Sequence, residues 1–423
     1  MKPVPGAGEA GGFFGAPFRP FFLAALILAA CAIPVWTRMY LSGFGEVAGM
    51  PALAWHAHEM VFGYLPAAMA GYLLSPAPGS GAKPAISGLP LALLLVLWFA
   101  GRLLPLVLPA AGAVLDAAFP LAVTAFLLRA MRAGESRLTR HGLALFPLIA
   151  IASLTHRLVC FDPQMAATLA RLGVAIGALL IAAVGGRIIP EATRAALPAR
   201  ERAKVAEPYR RFDILVLLAA APALGAWVLA PQSLAEAILL LAAGALHLAR
   251  LVRWRGWRVR EAKVLALHAG YVWLAAATLL AGLSAEPFAL VPADLALHAF
   301  AAGAIGTMTM AVMARLAVPA ALGAPARLAL IFVHLGAVLR VSAVLLSGAY
   351  LPLLVAGAFF WSLGFAIFVL VLLPPRRRRR SAPDAAGAHA IVGAREHWRR
   401  PIKVPHGSRG RVADYPSGQS FRL

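Results

Sequence analysis

Two histidines and a carboxylate fall within four residues in the segment Trp55-His-Ala-His-Glu-Met-Val-Phe-Gly-Tyr64, at the start of an apolar run long enough to cross a bilayer. Ionisable side chains are costly at membrane depth and are rare there unless they serve a site. Neutral imidazole is a good ligand for haem iron and for copper. A His-x-His-Glu inside a membrane helix therefore reads first as a metal or cofactor site. On a helix, His56 and His58 are roughly 200° apart. They address different partners, so one is a ligand while the other packs or hydrogen-bonds elsewhere. His56 and Glu59, three apart, share a face. Glu59 reads as a proton relay, as a group that sets a histidine tautomer, or as the ion-pair partner of Arg157 or Arg315.

The elements that must position these groups are membrane helices. Of the 423 residues, 61% are hydrophobic and only 13% are charged, against about 25% in a soluble protein. Mean hydropathy is +0.80. The formal net charge of +22 resembles a nucleic-acid signature, but the basic residues sit between apolar runs and in the tail. No soluble domain with interleaved aromatics is present to hold nucleic acid. Cys31 and Cys160 are the two cysteines. They give no disulfide framework and no Cys-x-x-Cys-His for covalent haem attachment.

Twelve apolar runs have spanning length. They lie near residues 20–40, 55–75, 88–105, 110–131, 140–160, 165–190, 212–230, 233–252, 264–284, 293–317, 326–347 and 350–373. The expected fold is all-α and polytopic, with about twelve transmembrane helices in one bundle. Residues 1–19 form a cytoplasmic segment, 20–373 the membrane domain, and 374–423 a basic disordered tail lying on anionic headgroups. Arginines and lysines crowd the fourth, sixth and eighth connections, while the seventh, ninth and eleventh carry none. The positive-inside rule then places both termini in the cytoplasm.

Orientation and helix direction give each histidine a depth. His56, His58, His156 and His298 fall in one outer layer with Glu59 and Arg157. His247, His268, His141 and Arg187 fall on the cytoplasmic side, and His334 lies nearer the middle. Two layers suggest two redox or ligand sites. Membrane haem is commonly held by histidine, and its propionates need arginine partners, for which Arg157 and Arg187 are candidates. The bland alternatives are ordinary ones. A lone histidine near a helix end is a headgroup-level polar residue, the reading preferred for His141. Met308, Met310 and Met313 are soft enough for copper, but methionine in an apolar helix is more often packing. Gly173 and Gly177 form a small-xxx-small pair for helix packing, and Gly303 and Gly306 let a helix or flat cofactor approach.

The chain resembles the NnrS family of membrane proteins. The resemblance rests on Trp55 through Tyr64, on Gly185-Gly-Arg-Ile-Ile-Pro190, on Leu267-His-Ala-Gly-Tyr-Val-Trp-Leu274, and on His298 through Arg315. It implies a twelve-helix protein of the bacterial inner membrane that carries non-covalent b-type haem and copper. It also implies a link to nitric oxide metabolism and nitrosative stress, with nitric oxide as the small-molecule ligand. It highlights His56, His58, Glu59, Arg187, His268, His298 and Arg315. With the depth argument, the cofactor set becomes His56, His58, His156, His268, His298, Arg157, Arg187 and Arg315. The metal set becomes His56, His58, His298, His247 and His268. The chain departs from the family after Arg315, where Pro319-Ala-Ala-Leu-Gly-Ala-Pro-Ala-Arg327 replaces a Gly-His-Thr-Gly-Arg segment. The rival reading is a twelve-helix transporter without a redox cofactor, whose intramembrane Glu and Arg line a path. A haem-copper reductase proper would instead need its histidines stacked within one half of the membrane.

Overall fold

The computed structural model describes residues 12–43, 45–76, 83–132, 138–208 and 210–373, and the side chains of all these except 138–141. The basic tail, the first eleven residues and the His141 side chain, each assigned a role above, lie outside the described residues.

Helices form in all twelve expected runs. They are α1 (Phe18–Ser42), α2 (52–73), α3 (Leu89–Leu103), α4 (Pro109–Arg132), α5 (Leu138–Leu158), α6 (Pro163–Ala196), α7 (Arg211–Leu229), α8 (Leu234–Trp254), α9 (Ala262–Ser284), α10 (Ala293–Ala317), α11 (Ala324–Leu345) and α12 (Tyr350–Leu372). Ten helices among the described residues are long and apolar enough to cross a membrane. The other two are α2, which is interrupted by a wide turn, and α5, whose apolar part is Gly142–Leu158. The only strands among the described residues are β1 (Glu46–Val47) and β2 (Met50–Pro51), an antiparallel hairpin pairing Val47 with Met50 between α1 and α2. The chain is thus an all-α polytopic membrane protein.

Local chemistry fixes the ends. Asp162 caps α6, its carboxylate accepting from the backbone N–H groups of Gln164 and Met165 at 3.0 Å each, with Pro163 at the first helical position. Ser233 caps α8 by accepting from Glu236 N–H at 3.1 Å. α6 runs past the expected end at 190, carrying Pro190 inside it.

Helix α6 is the most buried span, followed by α10 and α9, so these three form the middle of the bundle. Leu93, Leu121, Leu218 and Leu370 are exposed, as lipid contact requires of an apolar exterior. The small-residue pair of α6 works as expected. A Cβ on Gly173 would come within 2.1 Å of Val61 on α2, and one on Gly177 within 2.8 Å of Ile305 on α10. These glycines, four apart on one face of α6, let α2 and α10 pack closely against it, the second meeting Leu65 of α2 as well as Ile305. Gly303 and Gly306 admit the indole rings of Trp273 and Trp361, and Met308, Met310 and Met313 are buried core residues.

Two helices share one irregularity. In α2 the α-turns give way to a π-helical turn over Glu59–Tyr64, and in α10 over Ala299–Ile305. Such insertions are rare and gather at functional sites. Each follows directly on a histidine of the expected outer layer, His58 in α2 and His298 in α10.

Candidate functional site: a histidine cavity and a buried charge cluster

The expected outer layer separates into two sites, and the division runs through the His-x-His pair. His56 turns toward α10 and His58 toward α4 and α5.

On the α10 side lies a cavity of about 170 Å³ bounded by α1, α2, α6, α10, α11 and α12. Its walls are almost wholly apolar, among them Ile33, Met60, Val174, Ile305 and Leu354. His56, His298 and Arg340 also line it. The His56 ring stacks on Trp36, centroids 4.5 Å apart, and its Nδ1 is buried with no hydrogen-bond partner. His298 is more tightly specified. Its Nδ1 lies 2.8 Å from the Asp294 carbonyl, which can only accept, so Nδ1 carries the proton. The bare Nε2 then accepts from Arg340 Nη2 at 2.9 Å. The other terminal nitrogen of Arg340, Nη1, is buried without a partner. Three cavity groups therefore present unused or exchangeable bonding capacity to an apolar space.

On the other side of α2, Asp116 is the centre of a buried cluster. It accepts from Arg157 Nε at 2.7 Å and from His58 Nε2 at 2.9 Å, and pairs with Arg102. Arg102 Nε also stands 3.1 Å from Glu59 Oε2. Asp116 takes three donors, so it is a carboxylate, and His58 gives it the Nε2 proton. The Nδ1 of His58 is thereby left bare, facing Nδ1 of His156 at 3.3 Å. His58, Glu59, Asp116, His156 and Arg157 are all buried. The two carboxylates balance the two guanidinium groups, the condition under which such charges are tolerated away from water. Arg157 also donates to the Ala48 carbonyl at 3.3 Å, tying α5 to the β1–β2 hairpin.

A third cluster joins α6, α7, α8 and α9. Arg250 Nε donates to Asp213 at 2.7 Å, and its Nη1 donates to the Ala182 carbonyl at 2.7 Å and to Tyr271 at 2.9 Å. The Tyr271 hydroxyl then donates to His247 Nδ1 at 2.9 Å. His268 stands apart from His247. Its Nε2 donates to Thr193 at 2.9 Å, whose own proton goes to the Ile189 carbonyl. Gly186 makes the Arg250 arrangement possible, because a Cβ there would lie 1.9 Å from Arg250 Nη2. Gly186→Ala is expected to lower stability by at least about 1–3 kcal/mol through overpacking. Gly225→Ala, where a Cβ meets nothing within 4 Å, is the control. Thermal unfolding in detergent reads the difference, and equal midpoints would refute the packing account.

The structure reassigns several residues singled out in the sequence. Arg157 is committed to Asp116 and does not line the cavity. Arg187 is half-exposed and pairs with Glu191 at 3.1 Å within α6. Arg315 is half-buried at the C-terminal end of α10 and does not line the histidine cavity. Glu59 forms an ion pair, but with Arg102 in place of Arg157 or Arg315. His56 and Glu59 do not meet one partner, since the regular α register ends where the π turn begins. His334 accepts from Trp273 Nε1 at 3.1 Å. Among the described residues, no three His, Cys, Asp or Glu side chains group as a metal-ion site.

Arg102, Asp116, Asp213, Arg250 and Arg340 are site residues that the motifs and histidine depths above do not single out. The signal was present. Arg102, Asp116 and Arg340 each sit inside an apolar run, where an ionisable residue implies a partner.

The family described as NnrS protein matches the chain over residues 12–380. No curated protein matches it.

Proposed function

The chain belongs to the NnrS family, and from that membership and the cavity we propose a haem-binding protein of the nitric oxide response, in the bacterial inner membrane. One observation carries the reading. His56 on α2 and His298 on α10 line the same apolar-walled cavity, with Arg340 beside them.

The residues fit a haem on three counts. His56 Nδ1 is a buried nitrogen without a partner, which normally costs about 1–3 kcal/mol and which a metal–nitrogen bond would relieve. His298 donates Nδ1–H to a backbone carbonyl, the outer-shell bond that orients a ligating imidazole and fixes its tautomer. Arg340 has a buried Nη1 free to pair with a carboxylate, the role earlier given to Arg157 and Arg187. His56 and His298 would hold the iron and Arg340 a propionate. The group would supply a redox-active centre able to bind nitric oxide. The chain contributes orientation through Trp36 and Asp294, and an apolar wall that excludes water.

Purified protein in detergent is expected to show a Soret band, with the pyridine haemochrome spectrum of b-type haem, and the band is expected to shift on adding nitric oxide. A folded protein lacking any Soret absorbance would remove this reading and leave the transporter, for which substrate flux into vesicles is the next assay.

A further inference from the structure

We propose that the end of α6, the start of α7 and the end of α8 form a seat for the phosphate headgroup of an anionic phospholipid. An open cleft of about 1020 Å³ lies there. Five cations line it, Arg194, Lys204, Arg210, Arg211 and Arg253, against one carboxylate, Glu207. The connection from α6 to α7 is one that the positive-inside rule places in the cytoplasm. The cytoplasmic leaflet carries the anionic lipids whose headgroups basic pockets between helices hold.

Orientation in a membrane requires positive charge. It does not require that the charge be built into a cleft, and here it is. Val205 is buried, and Arg194 Nη1 donates to its carbonyl at 2.9 Å. The Ala206 N–H donates to the Arg253 carbonyl at 3.2 Å, which ties the connection to α8. The Arg253 guanidinium lies over the Phe212 ring, 4.6 Å from its centroid, a contact that holds a cation without neutralising it.

The charges are unequally spent. Glu207 pairs with Arg210 and stands 3.9 Å from Arg194, and Lys204 pairs with Glu201 at 3.1 Å. Asp213, in the first turn of α7, is held by Arg250 at 2.7 Å. Arg211 and Arg253 are exposed, and among the described residues neither is in an ion pair. Guanidinium groups suit phosphate, which they can bind through two parallel hydrogen bonds. Apolar surface selects a lipid over a free phosphate. On α7, Leu215 and Leu218 follow Arg211 on the same face, roughly 6 and 10 Å along the axis. Both are exposed, as are Leu248 and Val252 on α8. A headgroup held by the arginines lays its acyl chains on side chains of this kind.

Native mass spectrometry of the full-length protein in detergent tests the site, with phosphatidylglycerol and phosphatidylcholine of the same acyl chains as probes. Phosphatidylglycerol is expected to bind more tightly than phosphatidylcholine, and inorganic phosphate in excess should not displace it. Arg211→Gln and Arg253→Gln should each weaken phosphatidylglycerol binding by about 5-fold, and the double variant by about 30-fold, as loss of one and two surface cations implies. The double variant Arg129→Gln with Arg132→Gln removes two exposed cations from the end of α4 and should leave binding unchanged. Equal binding of the two lipids, or displacement by inorganic phosphate, would overturn the proposal on the wild-type protein alone. Folded Arg211 and Arg253 variants of full affinity, or an equal loss in the α4 control, would show diffuse attraction in place of a seat.

Discussion

Asp116→Ala is expected to destabilise the folded protein by roughly 3–5 kcal/mol, the range for removing one partner of a buried ion pair. The carboxylate takes Arg157 at 2.7 Å and His58 at 2.9 Å, and pairs with Arg102. Without it, Arg102 keeps only Glu59, and Arg157 keeps only a 3.3 Å bond to the Ala48 carbonyl. Two guanidinium groups then share one carboxylate in a dry interior. A second substitution isolates the cause. Arg102→Ala added to Asp116→Ala removes one of the surplus charges and should recover part of the loss, a coupling that independent sites would not show. Glu191→Ala is the contrast. Its pair with Arg187 is 43% exposed on the glutamate side, and such pairs contribute about 0–1 kcal/mol. Denaturation in detergent, read by tryptophan fluorescence, should rank Asp116→Ala far below Glu191→Ala. Equal midpoints would show that the cluster carries no such stability.

The same cluster shows what was legible in the chain. Helix positions followed from apolar run length, because a bilayer imposes a minimum span that composition alone reveals. The split between His56 and His58 followed from helical geometry, and the structure places them on two sites. Arg102, Asp116 and Arg340 were visible as charges inside apolar runs, yet their partners were not. Asp116 meets His58 across 58 residues and Arg340 meets His298 across 42, and no local periodicity encodes contacts of that separation. Arg157 illustrates the converse limit. Its depth predicts a place in the outer layer, but depth fixes a layer and not a direction within it, and the guanidinium turns to Asp116. The π turns were also out of reach. Glu59–Tyr64 and Ala299–Ile305 read as plain helix, and an inserted residue becomes evident only once neighbouring helices fix which face each side chain occupies.

His298→Ala is expected to yield protein without haem, and His56→Ala the same, whereas His247→Ala and His334→Ala should retain it. The distinction rests on where each ring points. His298 and His56 line one cavity from facing helices, while His247 is bound to Tyr271 and His334 accepts from Trp273. Each of the first pair has a nitrogen available to a ligand, Nδ1 of His56 without a partner and Nε2 of His298 held only by Arg340. Arg340→Leu separates the two jobs assigned to that cavity. It frees His298 Nε2 but removes the cation, so haem should still bind, with affinity lower by about 10- to 100-fold, as when an outer-shell partner is lost. Arg340→Lys restores the charge without the planar fork that pairs two oxygens, and should lie between wild type and Arg340→Leu. The pyridine haemochrome assay gives occupancy per chain for the wild type and all six variants. Full occupancy in both His298→Ala and His56→Ala would move the haem away from this cavity, and the two π turns beside it would then need another purpose.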